Sequence, residues 1–311
     1  MSYISVQNLT THYKTQGRTV HALDDVSFSL ERGESVGIAG ESACGKSTLG
    51  LSLMRTLQGG KIVSGDILFE GTSMLKMSDT EFAKKYRWKD IAMVFQGAMN
   101  SLDPVFTIKE QFIEVLKQHH YDGDFDKRIS VMVTSVGLTQ EVLKKYPHEL
   151  SGGMKQRIVI SMALLLKPKF VIADEPTTAL DVLVQAQIIN LLKKLKKDGM
   201  SIMLITHDLS IISEIAEKVG VMYAGKMVEF GSASEIYKNP KHPYTQGLLE
   251  SIPSLRKEKK IKYIKGNPPS LIKPPEGCRF YDRCPHAMEK CKKDPPKFKT
   301  DSGYVLCWLY E

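Results

Sequence analysis

One short glycine-rich segment constrains the fold of this chain more than any other feature. Residues 40–47 read GESACGKS and fit the phosphate-binding pattern G-x-x-x-x-G-K-[ST]. An apolar run from Ser35 to Ala39 precedes the segment like a buried strand, and residues 48–54 follow with a helical pattern. A strand, a glycine-rich loop and a helix N-terminus together present backbone N–H groups to a polyphosphate. The sequence therefore predicts an α/β core that binds a nucleotide.

The residues of this loop have separable roles in binding. The Lys46 ammonium would reach the β- and γ-phosphates, and the Ser47 hydroxyl would hold Mg²⁺. The loop backbone and the residue after Ser47 supply the other predicted contacts, which come from Gly40, Glu41, Ser42, Ala43, Cys44, Gly45 and Thr48. The loop alone identifies a nucleotide-binding protein and says nothing of its reaction.

Further short motifs follow the loop in a set order. They are VFQ at 94–96, LSGGMKQR at 150–157, an apolar strand at 170–173 that ends in Asp174-Glu175, ALD at 179–181, and THD at 206–208 after a second apolar strand. Each match is common by itself, but their order and spacing together are not. Over residues 1–250 the chain resembles the nucleotide-binding subunit of an ABC transporter.

Two acidic residues are the candidates for the chemistry of hydrolysis. Asp174 closes an apolar strand, where ligands gather in open α/β sheets. Its carboxylate can hold Mg²⁺ opposite Ser47, and Glu175 is the candidate for polarising the attacking water. A solvated loop start is the alternative interpretation of this pair, and the upstream phosphate loop favours the catalytic one.

The resemblance implies three further contacts with ATP. His207 resembles the switch histidine of the family, which contacts the γ-phosphate. Gln96 resembles the glutamine that senses Mg²⁺ and the attacking water and that relays the nucleotide state to the helical subdomain. The family usually continues this glutamine with an acidic residue and proline, whereas Gly97 and Ala98 follow it here. Tyr13 is the candidate for stacking on adenine.

A second anion site is predicted at the start of a helix. Ser151-Gly152-Gly153 opens a helix that we expect to run to about Leu166, and bare N–H groups at such a terminus bind anions. In the family this terminus contacts the nucleotide held by the opposing subunit of a head-to-tail dimer. Asp181 resembles the residue that crosses the dimer seam. Met154 stands where glutamine is commoner in the family.

The pattern along the chain predicts the fold class. It is α/β: a P-loop NTPase core of ABC type, an antiparallel β subdomain, an inserted helical subdomain and a Cys-rich C-terminal extension. Alternation of apolar and polar residues predicts the antiparallel strands in 1–35 and 60–72, and helical periodicity fills about 97–165. Ala224-Gly225 predicts a hairpin. We expect the ABC domain over 1–250 and the extension over 251–311.

The composition changes near residue 250. From Pro253 to Glu311 the chain has 14 Lys and Arg against 7 Asp and Glu, with 8 of the 14 prolines and 4 of the 5 cysteines. Such a shift indicates a domain boundary. A basic tail can contact nucleic acid or anionic lipid, although a solvated basic surface is the commoner reason for such a charge.

The four cysteines of the tail indicate a metal site. They are Cys278, Cys284, Cys291 and Cys307. Structural disulfides are disfavoured in the cytosol, so four thiolates suggest tetrahedral zinc or an iron–sulfur cluster. The paired C-x₂-C spacing of zinc ribbons is not met, and four buried thiols without metal remain the alternative. Cys44 belongs to the phosphate loop and is not a fifth ligand.

A second resemblance narrows these alternatives. The tail is similar to the C-terminal region of oligopeptide, dipeptide and nickel importer ATPases in residues 241–249 (KHPYTQGLL), 266–271 (GNPPSL), 277–280 (GCRF) and 283–285 (RCP). Members of that branch can hold a 4Fe–4S cluster there, with a structural role. All the catalytic candidates precede the tail, so the sequence predicts that catalysis does not need the cluster.

The resemblance implies an ATPase that powers import of peptides. Its expected partners are a second ABC ATPase subunit, either a related chain or a second copy, two transmembrane permease subunits and, through them, an extracytoplasmic substrate-binding protein. The chain has no run of about 18 apolar residues and no signal-peptide pattern, so we expect it on the cytoplasmic face of the membrane, bound peripherally.

Three alternatives to peptide import remain open at this stage. The first is a nickel-importer ATPase of the same branch. The second is a nucleotide-gated, basic iron–sulfur protein acting on nucleic acid, but the tail lacks the interleaved aromatic residues that single-strand binders use, and no nucleic acid is expected. The third is a non-transport ABC ATPase, which commonly carries two cassettes in one chain, whereas this chain has one.

Overall fold

The computed structural model describes residues 2–178, 180–251 and 263–311. Ala179 of the predicted ALD motif and residues 252–262 of the predicted extension lie outside the described residues. The chain divides into two compact units. One consists of Met1–Lys76 with Ile205–Glu311, and the other of Met77–Leu204.

The strands of the described residues are numbered in chain order. They are β1 (Ile4–Thr15), β2 (Arg18–Leu30), β3 (Val36–Ala39), β4 (Gly60–Phe69), β5 (Thr72–Ser73), β6 (Ile91–Val94), β7 (Phe170–Asp174), β8 (Ser201–Ile205), β9 (Lys218–Tyr223), β10 (Lys226–Ser232), β11 (Phe298–Lys299) and β12 (Tyr304–Val305).

The α-helices are numbered in the same way. They are α1 (Lys46–Met54), α2 (Asp79–Lys85), α3 (Ile108–Gln118), α4 (Phe125–Ser135), α5 (Gly152–Ala163), α6 (Val182–Lys197), α7 (Leu209–Ile215), α8 (Ala233–Lys238) and α9 (Pro243–Glu250). Short 3₁₀ turns cover Ala98–Ser101, Gln140–Lys144, Pro147–Glu149, Tyr281–Arg283, Glu289–Lys292 and Trp308–Tyr310.

An antiparallel sheet in the first unit has the strand order β2-β1-β4-β5. Its centre is β1, in which Ile4 pairs with Leu30 on one side and with Phe69 on the other. These three side chains are buried because alternate residues of each strand face the core. The antiparallel strands predicted for 1–35 and 60–72 are confirmed.

A second set of strands in this unit leads to the phosphate loop. β3 pairs with β9 in parallel, and β9 pairs antiparallel with β10. Ala224 and Gly225 join β9 to β10 with φ of 46° and 85°, as expected for a tight hairpin turn, so the predicted hairpin is confirmed. Gly37 of β3 lets α7 pack closely, because a Cβ at Gly37 would lie 2.1 Å from Cγ2 of Ile212.

The described part of the tail, residues 263–311, packs within the same unit. β12 extends the sheet beside β10, where Glu229 pairs with Val305, and β11 pairs with β12. The N–H of His21 donates to the carbonyl of Leu271 at 2.8 Å. The tail is therefore bound to the rest of its unit by backbone hydrogen bonds as well as by side chains.

In the second unit β7 lies between β8 and β6. β6 and β7 are parallel, with Val94 opposite Ala173, and every residue of both strands is buried. Strands buried on both faces read as continuous apolar runs, which is the pattern of this sequence. Helices and 3₁₀ turns fill residues 98–163, as predicted for the helical segment.

Polar residues set the starts of these helices. A side-chain oxygen at each N-cap accepts a hydrogen bond from a backbone N–H of the first turn, which replaces a missing intrahelical partner. In this unit the caps are Ser78, Thr107, Asp124, Ser151 and Asp181. Among the described residues of either unit, no helix combines the length and the apolar character needed to cross a membrane.

Candidate functional site

The phosphate loop of residues 40–45 turns between β3 and α1. Its backbone has φ of 148° at Gly40, 61° at Ala43 and 106° at Gly45. Loops with left-handed residues direct successive N–H groups toward one concavity and so bind anions. Glycine is required at position 45, because a Cβ there would lie 2.4 Å from the carbonyl oxygen of Ala22.

Lys46 begins α1 and turns its side chain back onto the loop. Its ammonium is buried and donates to the carbonyl oxygens of Gly40 at 2.8 Å and Glu41 at 2.9 Å. Its remaining contact in the described chain is the Cys44 sulfur at 3.8 Å. Carbonyl oxygens orient the ammonium but do not neutralise it, and a buried cation favours an anionic partner. The loop is therefore suited to bind phosphate.

The other predicted loop residues line the same turn. Ser42 and Ala43 are exposed at its tip, and Ser47 and Thr48 are half-buried in the first turn of α1. Cys44 is buried, and burial raises the pKa of its thiol despite the opposing effect of Lys46. A thiol with a raised pKa is a weak nucleophile, so Cys44 is here a small, buried side chain of the loop.

Tyr13 is held flat by the sheet beneath it. It lies on β1, where its cross-strand partners are Val20 and Gly60. A Cβ at Gly60 would lie 2.7 Å from a carbon of the Tyr13 ring, so the ring rests directly over the glycine. The ring is half-buried, which leaves apolar surface open for stacking.

His207 lies exposed on the turn between β8 and α7. The hydroxyl of Thr206 accepts from the N–H of Asp208 at 3.1 Å, and Asp208 caps α7 by accepting from Ser210 at 2.8 Å. The N–H of Thr206 donates to the carbonyl of Ile38 on β3 at 3.2 Å. Both neighbours of His207 are thus held in place next to the strand that leads into the phosphate loop.

Gln96 and Asp174 lie at the carboxyl ends of two neighbouring strands of the second unit. Because β6 and β7 are parallel and paired in register, their carboxyl ends meet at one edge of the sheet. Asp174 is the last residue of β7 and is 2 % exposed, whereas Gln96 is exposed two residues after β6. The structure therefore brings these two predicted magnesium ligands to the same sheet edge.

Glu175 has an unusual backbone conformation. Its φ is 49°, which residues other than glycine, asparagine and aspartate seldom adopt. Its side chain is half-buried and accepts a hydrogen bond from the Thr178 hydroxyl at 2.7 Å. Such conformations recur at active sites, where the surrounding structure holds them in place.

The predicted signature residues lie at a helix start beside another helix start. Ser151 caps α5 by accepting from the N–H of Met154 at 3.3 Å, and Asp181 caps α6 by accepting from Val184 at 2.9 Å. A Cβ at Gly153 would lie 2.9 Å from Cγ1 of Val184. The structure thus brings Ser151, Gly152, Gly153 and Asp181 into one region of the second unit. α5 ends at Ala163, three residues before the predicted end.

The first turn of α6 exposes two large apolar side chains. Val182 is 82 % exposed and Leu183 is 70 % exposed. Single exposed apolar residues are ordinary, but adjacent ones beside an open helix N-terminus suggest a surface that another protein covers.

The four cysteines of the tail line one small cavity, together with His242. The backbone N–H of Cys278 donates to the carbonyl of Cys291 at 2.9 Å, which joins two of the thiol-bearing segments. Burial raises the pKa of Cys278 to about 12, and the nearby thiols add to the effect. Burial also raises the pKa of Cys284 and of Cys307.

The donor chemistry of this cavity fits a thiolate-bound metal group, although its present geometry does not form a metal site. Four converging thiols are the ligand set of tetrahedral zinc and of iron–sulfur clusters. Among the described residues, however, no group of three or more His, Cys, Asp or Glu side chains has an arrangement that could hold a metal ion.

Two residues that were not predicted from the sequence contact the phosphate loop. The Tyr244 hydroxyl accepts from the N–H of Glu41 at 2.9 Å. Arg283 donates to both carboxylate oxygens of Glu41, at 2.8 Å and 3.0 Å. Both lie in tail motifs that carry the second resemblance, but nothing local in those motifs indicates which segment they contact.

Two protein families match this chain, one in its ABC domain and one toward its C-terminus. The profile of the ABC transporter family matches residues 23–178, and that of the oligopeptide/dipeptide transporter C-terminal region matches residues 228–291. The chain is 45% identical over 318 residues to the dipeptide transport ATP-binding protein DppD of Bacillus subtilis, covering 99% of this chain and 95% of that protein. It is 43% identical to the oligopeptide transport ATP-binding protein OppD of Escherichia coli, covering 94% of this chain and 88% of that protein.

Solved structures agree with these matches. The dimeric structure of MJ0796, a bacterial ABC transporter cassette, has a TM-score of 0.67 and 30% identity, and covers 74% of this chain and 98% of that one. The dimeric post-hydrolysis state of the same cassette, bound to ADP and Pi, has a TM-score of 0.67 and 28% identity over the same shares. The similarity therefore extends over nearly the whole of that cassette.

Proposed function

The chain belongs to the ABC transporter family, and we propose that it is the ATP-hydrolysing subunit that powers a peptide importer. The observation that carries the proposal is similarity along almost the entire length of the chain to ATP-binding proteins of dipeptide and oligopeptide transport. The match of the tail to the C-terminal region of the same transporters supports the assignment to that branch.

We propose the following division of roles toward ATP and Mg²⁺. The amides of residues 40–45 and the Lys46 ammonium bind the phosphates, and Tyr13 stacks on adenine. Ser47, Gln96 and Asp174 supply the oxygen ligands that suit Mg²⁺. Mg²⁺, when bound, neutralises the charge that develops on the phosphate oxygens during transfer.

Two further residues act on the attacking water and the γ-phosphate. Glu175 accepts a proton from the water, and its left-handed backbone conformation, of a kind that recurs at active sites, supports this role. His207 contacts the γ-phosphate, which is consistent with its exposed position between two anchored neighbours. Catalysis of this kind consists mostly of positioning and electrostatic stabilisation.

We propose that the α5 N-terminus serves the nucleotide of a second ATPase subunit, either a second copy or a related chain. Ser151, Gly152 and Gly153 would contact that nucleotide, and Asp181 would reach across the seam. The exposed start of α5, and the exposed Val182 and Leu183 beside it, support a surface that a partner covers. The related cassette MJ0796 was solved as a dimer.

This proposal predicts that Ser151→Arg blocks hydrolysis while the chain still binds ATP. The bulky cation would fill the anion site, so ATP turnover by the assembled complex should fall about 100-fold, the usual cost of losing such a donor. ATP affinity of the isolated chain, measured by calorimetry, should stay unchanged because its own phosphate loop is intact. Ser78 is a matched control, since it also caps a helix by accepting an N–H, from Glu81 at 3.1 Å.

Ser78→Arg should leave turnover unaffected. A loss of ATP affinity in isolated Ser151→Arg protein would instead assign Ser151 to the nucleotide of its own subunit. That result would contradict the exchange of nucleotide contacts between subunits.

We propose that the subunit acts at the cytoplasmic face of the membrane, bound to two permease subunits that receive peptide from an extracytoplasmic binding protein. The importer assignment supports these partners. The test is to purify the chain with its permeases and compare ATPase stimulation by binding protein loaded with dipeptide, with oligopeptide or with Ni²⁺. Stimulation by peptide supports the proposal, whereas stimulation by Ni²⁺ alone would assign the chain to nickel import.

We further propose that Cys278, Cys284, Cys291 and Cys307 hold a 4Fe–4S cluster. Their position around one cavity and their thiol chemistry support the site. The match of residues 228–291 to the oligopeptide/dipeptide transporter C-terminal region agrees with the resemblance that implied the cluster. When bound, the cluster would cross-link segments that have few apolar side chains of their own. Its role is structural in this proposal.

Anaerobically purified protein should therefore be brown and contain about four iron atoms per chain, as a Cys₄ cubane requires. Cys284→Ser should remove most of the iron, as measured by elemental analysis. Cys44→Ser is the matched control, because Cys44 lies outside the cavity, and it should retain the iron. Stoichiometric zinc without iron would contradict the identity of the cluster, and absence of any metal would contradict the site.

A further inference from the structure

The tail forms an ion pair with the phosphate loop across a long stretch of sequence. The two terminal nitrogens of Arg283 donate to the two carboxylate oxygens of Glu41 at 2.8 Å and 3.0 Å. The side chains are 6 % and 27 % exposed. Exposed pairs contribute little, but a bidentate arginine–carboxylate pair that is largely withdrawn from water fixes the orientation of both groups.

Glu41 is a central residue of the loop. Its N–H donates to the Tyr244 hydroxyl at 2.9 Å, and its carbonyl accepts from the Lys46 ammonium at 2.9 Å. Its side chain is held by Arg283. The N–H, the carbonyl and the carboxylate of Glu41 all form hydrogen bonds, and the carbonyl orients the Lys46 ammonium that would bind phosphate. A shift of Glu41 would therefore move the carbonyl that orients Lys46.

Arg283 is itself held in one position. It also donates to the Tyr223 hydroxyl at 3.1 Å and to the carbonyl of Lys265 at 3.0 Å. Its guanidinium lies over the rings of Tyr223 and Phe280, at 5.6 Å and 5.9 Å from their centroids. These rings pack with Tyr244 in one buried aromatic cluster. Arginine in such surroundings acts as a fixed fork rather than a mobile charge.

A second tail arginine supports the other end of the loop. Arg279 donates to the carbonyl of Ala224 and to the carboxylate of Asp24. Gly225, the residue after Ala224, donates its N–H to the carbonyl of Cys44 at 2.9 Å. The tail therefore contacts the loop directly at Glu41 and, through the β9–β10 turn, indirectly at Cys44.

We infer that Arg283 is a positioning residue for the phosphate loop, through which the C-terminal tail sets the affinity for ATP. This inference rests on the proposed function, in which residues 40–48 bind ATP. It assigns the tail a part in nucleotide binding, although all the catalytic candidates predicted from the sequence precede the tail. Cys284, which lines the cysteine cavity, directly follows Arg283 in the chain.

The test is the affinity of the full-length chain for Mg²⁺ with a non-hydrolysable ATP analogue, measured by calorimetry. Arg283→Gln should weaken binding about 10-fold, the scale of one hydrogen bond to a charged group. In the assembled complex the KM for ATP should rise by a similar factor, with a much smaller change in kcat. Arg283→Lys should be intermediate, because lysine keeps the charge but not the fork.

Lys297→Gln is the matched control, since Lys297 also joins the tail to an N-terminal carboxylate, Asp25, at 3.1 Å, and its other hydrogen bond is to the Ser27 hydroxyl rather than to the phosphate loop. It should leave the affinity for the analogue unchanged. Glu41→Gln should reproduce the effect of Arg283→Gln, and the double variant should bind no more weakly than either single one. Glu41→Gln keeps the test decisive if Arg283→Gln fails to fold.

Affinity unchanged in both single variants, or losses that add in the double variant, would overturn the inference. A fall in melting temperature with unchanged affinity would likewise show that the pair only supports the fold. If the wild-type chain bound no ATP analogue, the proposed function itself would fail. Wild-type binding with no effect of either variant would remove the positioning role alone.

Discussion

Glu175→Gln is expected to stop ATP turnover while leaving ATP binding intact. The amide keeps the size of the side chain and can still hydrogen-bond to the Thr178 hydroxyl, but it cannot accept a proton from water. Loss of a general base costs about 10²–10⁴ in rate. The measurement is steady-state phosphate release by the full complex, combined with gel filtration to detect an ATP-trapped dimer of ATPase subunits.

Glu110→Gln is the control for this substitution. Glu110 is also a carboxylate of the second unit that accepts from a threonine hydroxyl three residues away, Thr107 at 2.7 Å. It belongs to the capping box of α3 rather than to the sheet edge, so its variant should hydrolyse ATP normally. Near-normal phosphate release by Glu175→Gln protein would contradict the assignment of the base.

Gly45→Ala is expected to abolish ATP binding by distorting the phosphate loop. The added Cβ would lie 2.4 Å from the Ala22 carbonyl oxygen and 3.0 Å from Cδ2 of Leu23, on a backbone with φ of 106°. Neither neighbour can withdraw freely, because one is backbone and the other is buried in the core. We expect a loss of about 2–4 kcal/mol in the free energy of unfolding, from backbone strain and overpacking together.

Gly33→Ala distinguishes backbone strain from overpacking as the cause of the expected loss in stability. Gly33 has φ of 81°, but a Cβ there would meet nothing within 4 Å. Its variant should lose only the strain of a left-handed alanine, about 1 kcal/mol, and keep its ATP affinity. Calorimetry and denaturant unfolding of both variants measure the difference. Wild-type ATP affinity in Gly45→Ala protein would contradict the proposed role of this turn.

Local patterns predicted most of the fold. The antiparallel strands, the hairpin at Ala224-Gly225 and the helical segment each depend on residue periodicity or turn chemistry, which a single sequence displays. The predicted end of α5 was less accurate, because Leu164-Leu165-Leu166 continues the apolar pattern beyond the helix. Arg128 donates to the carbonyls of Leu165 at 2.6 Å and Leu164 at 3.1 Å, so a residue from another helix provides the termination.

The candidate site was predictable where its residues follow strands or open helices. The phosphate loop, Asp174 and Ser151 all lie where such patterns place them. The pair of Arg283 with Glu41 spans 242 positions in sequence, and no periodicity relates residues so far apart. The positive φ of Glu175 was also beyond prediction, because it arises from the surrounding packing rather than from the residue type.

In the proposed function, ATP hydrolysis by this chain drives peptide import. The most direct measurement places the purified complex in lipid vesicles with ATP on the side of this subunit and the binding protein on the other. Accumulation of labelled dipeptide and release of phosphate are then followed together. We predict that both require ATP and that both cease when Glu175→Gln replaces the wild-type chain. Dipeptide accumulation that persists without ATP, or with the Glu175→Gln chain, would show that ATP hydrolysis by this chain does not drive import.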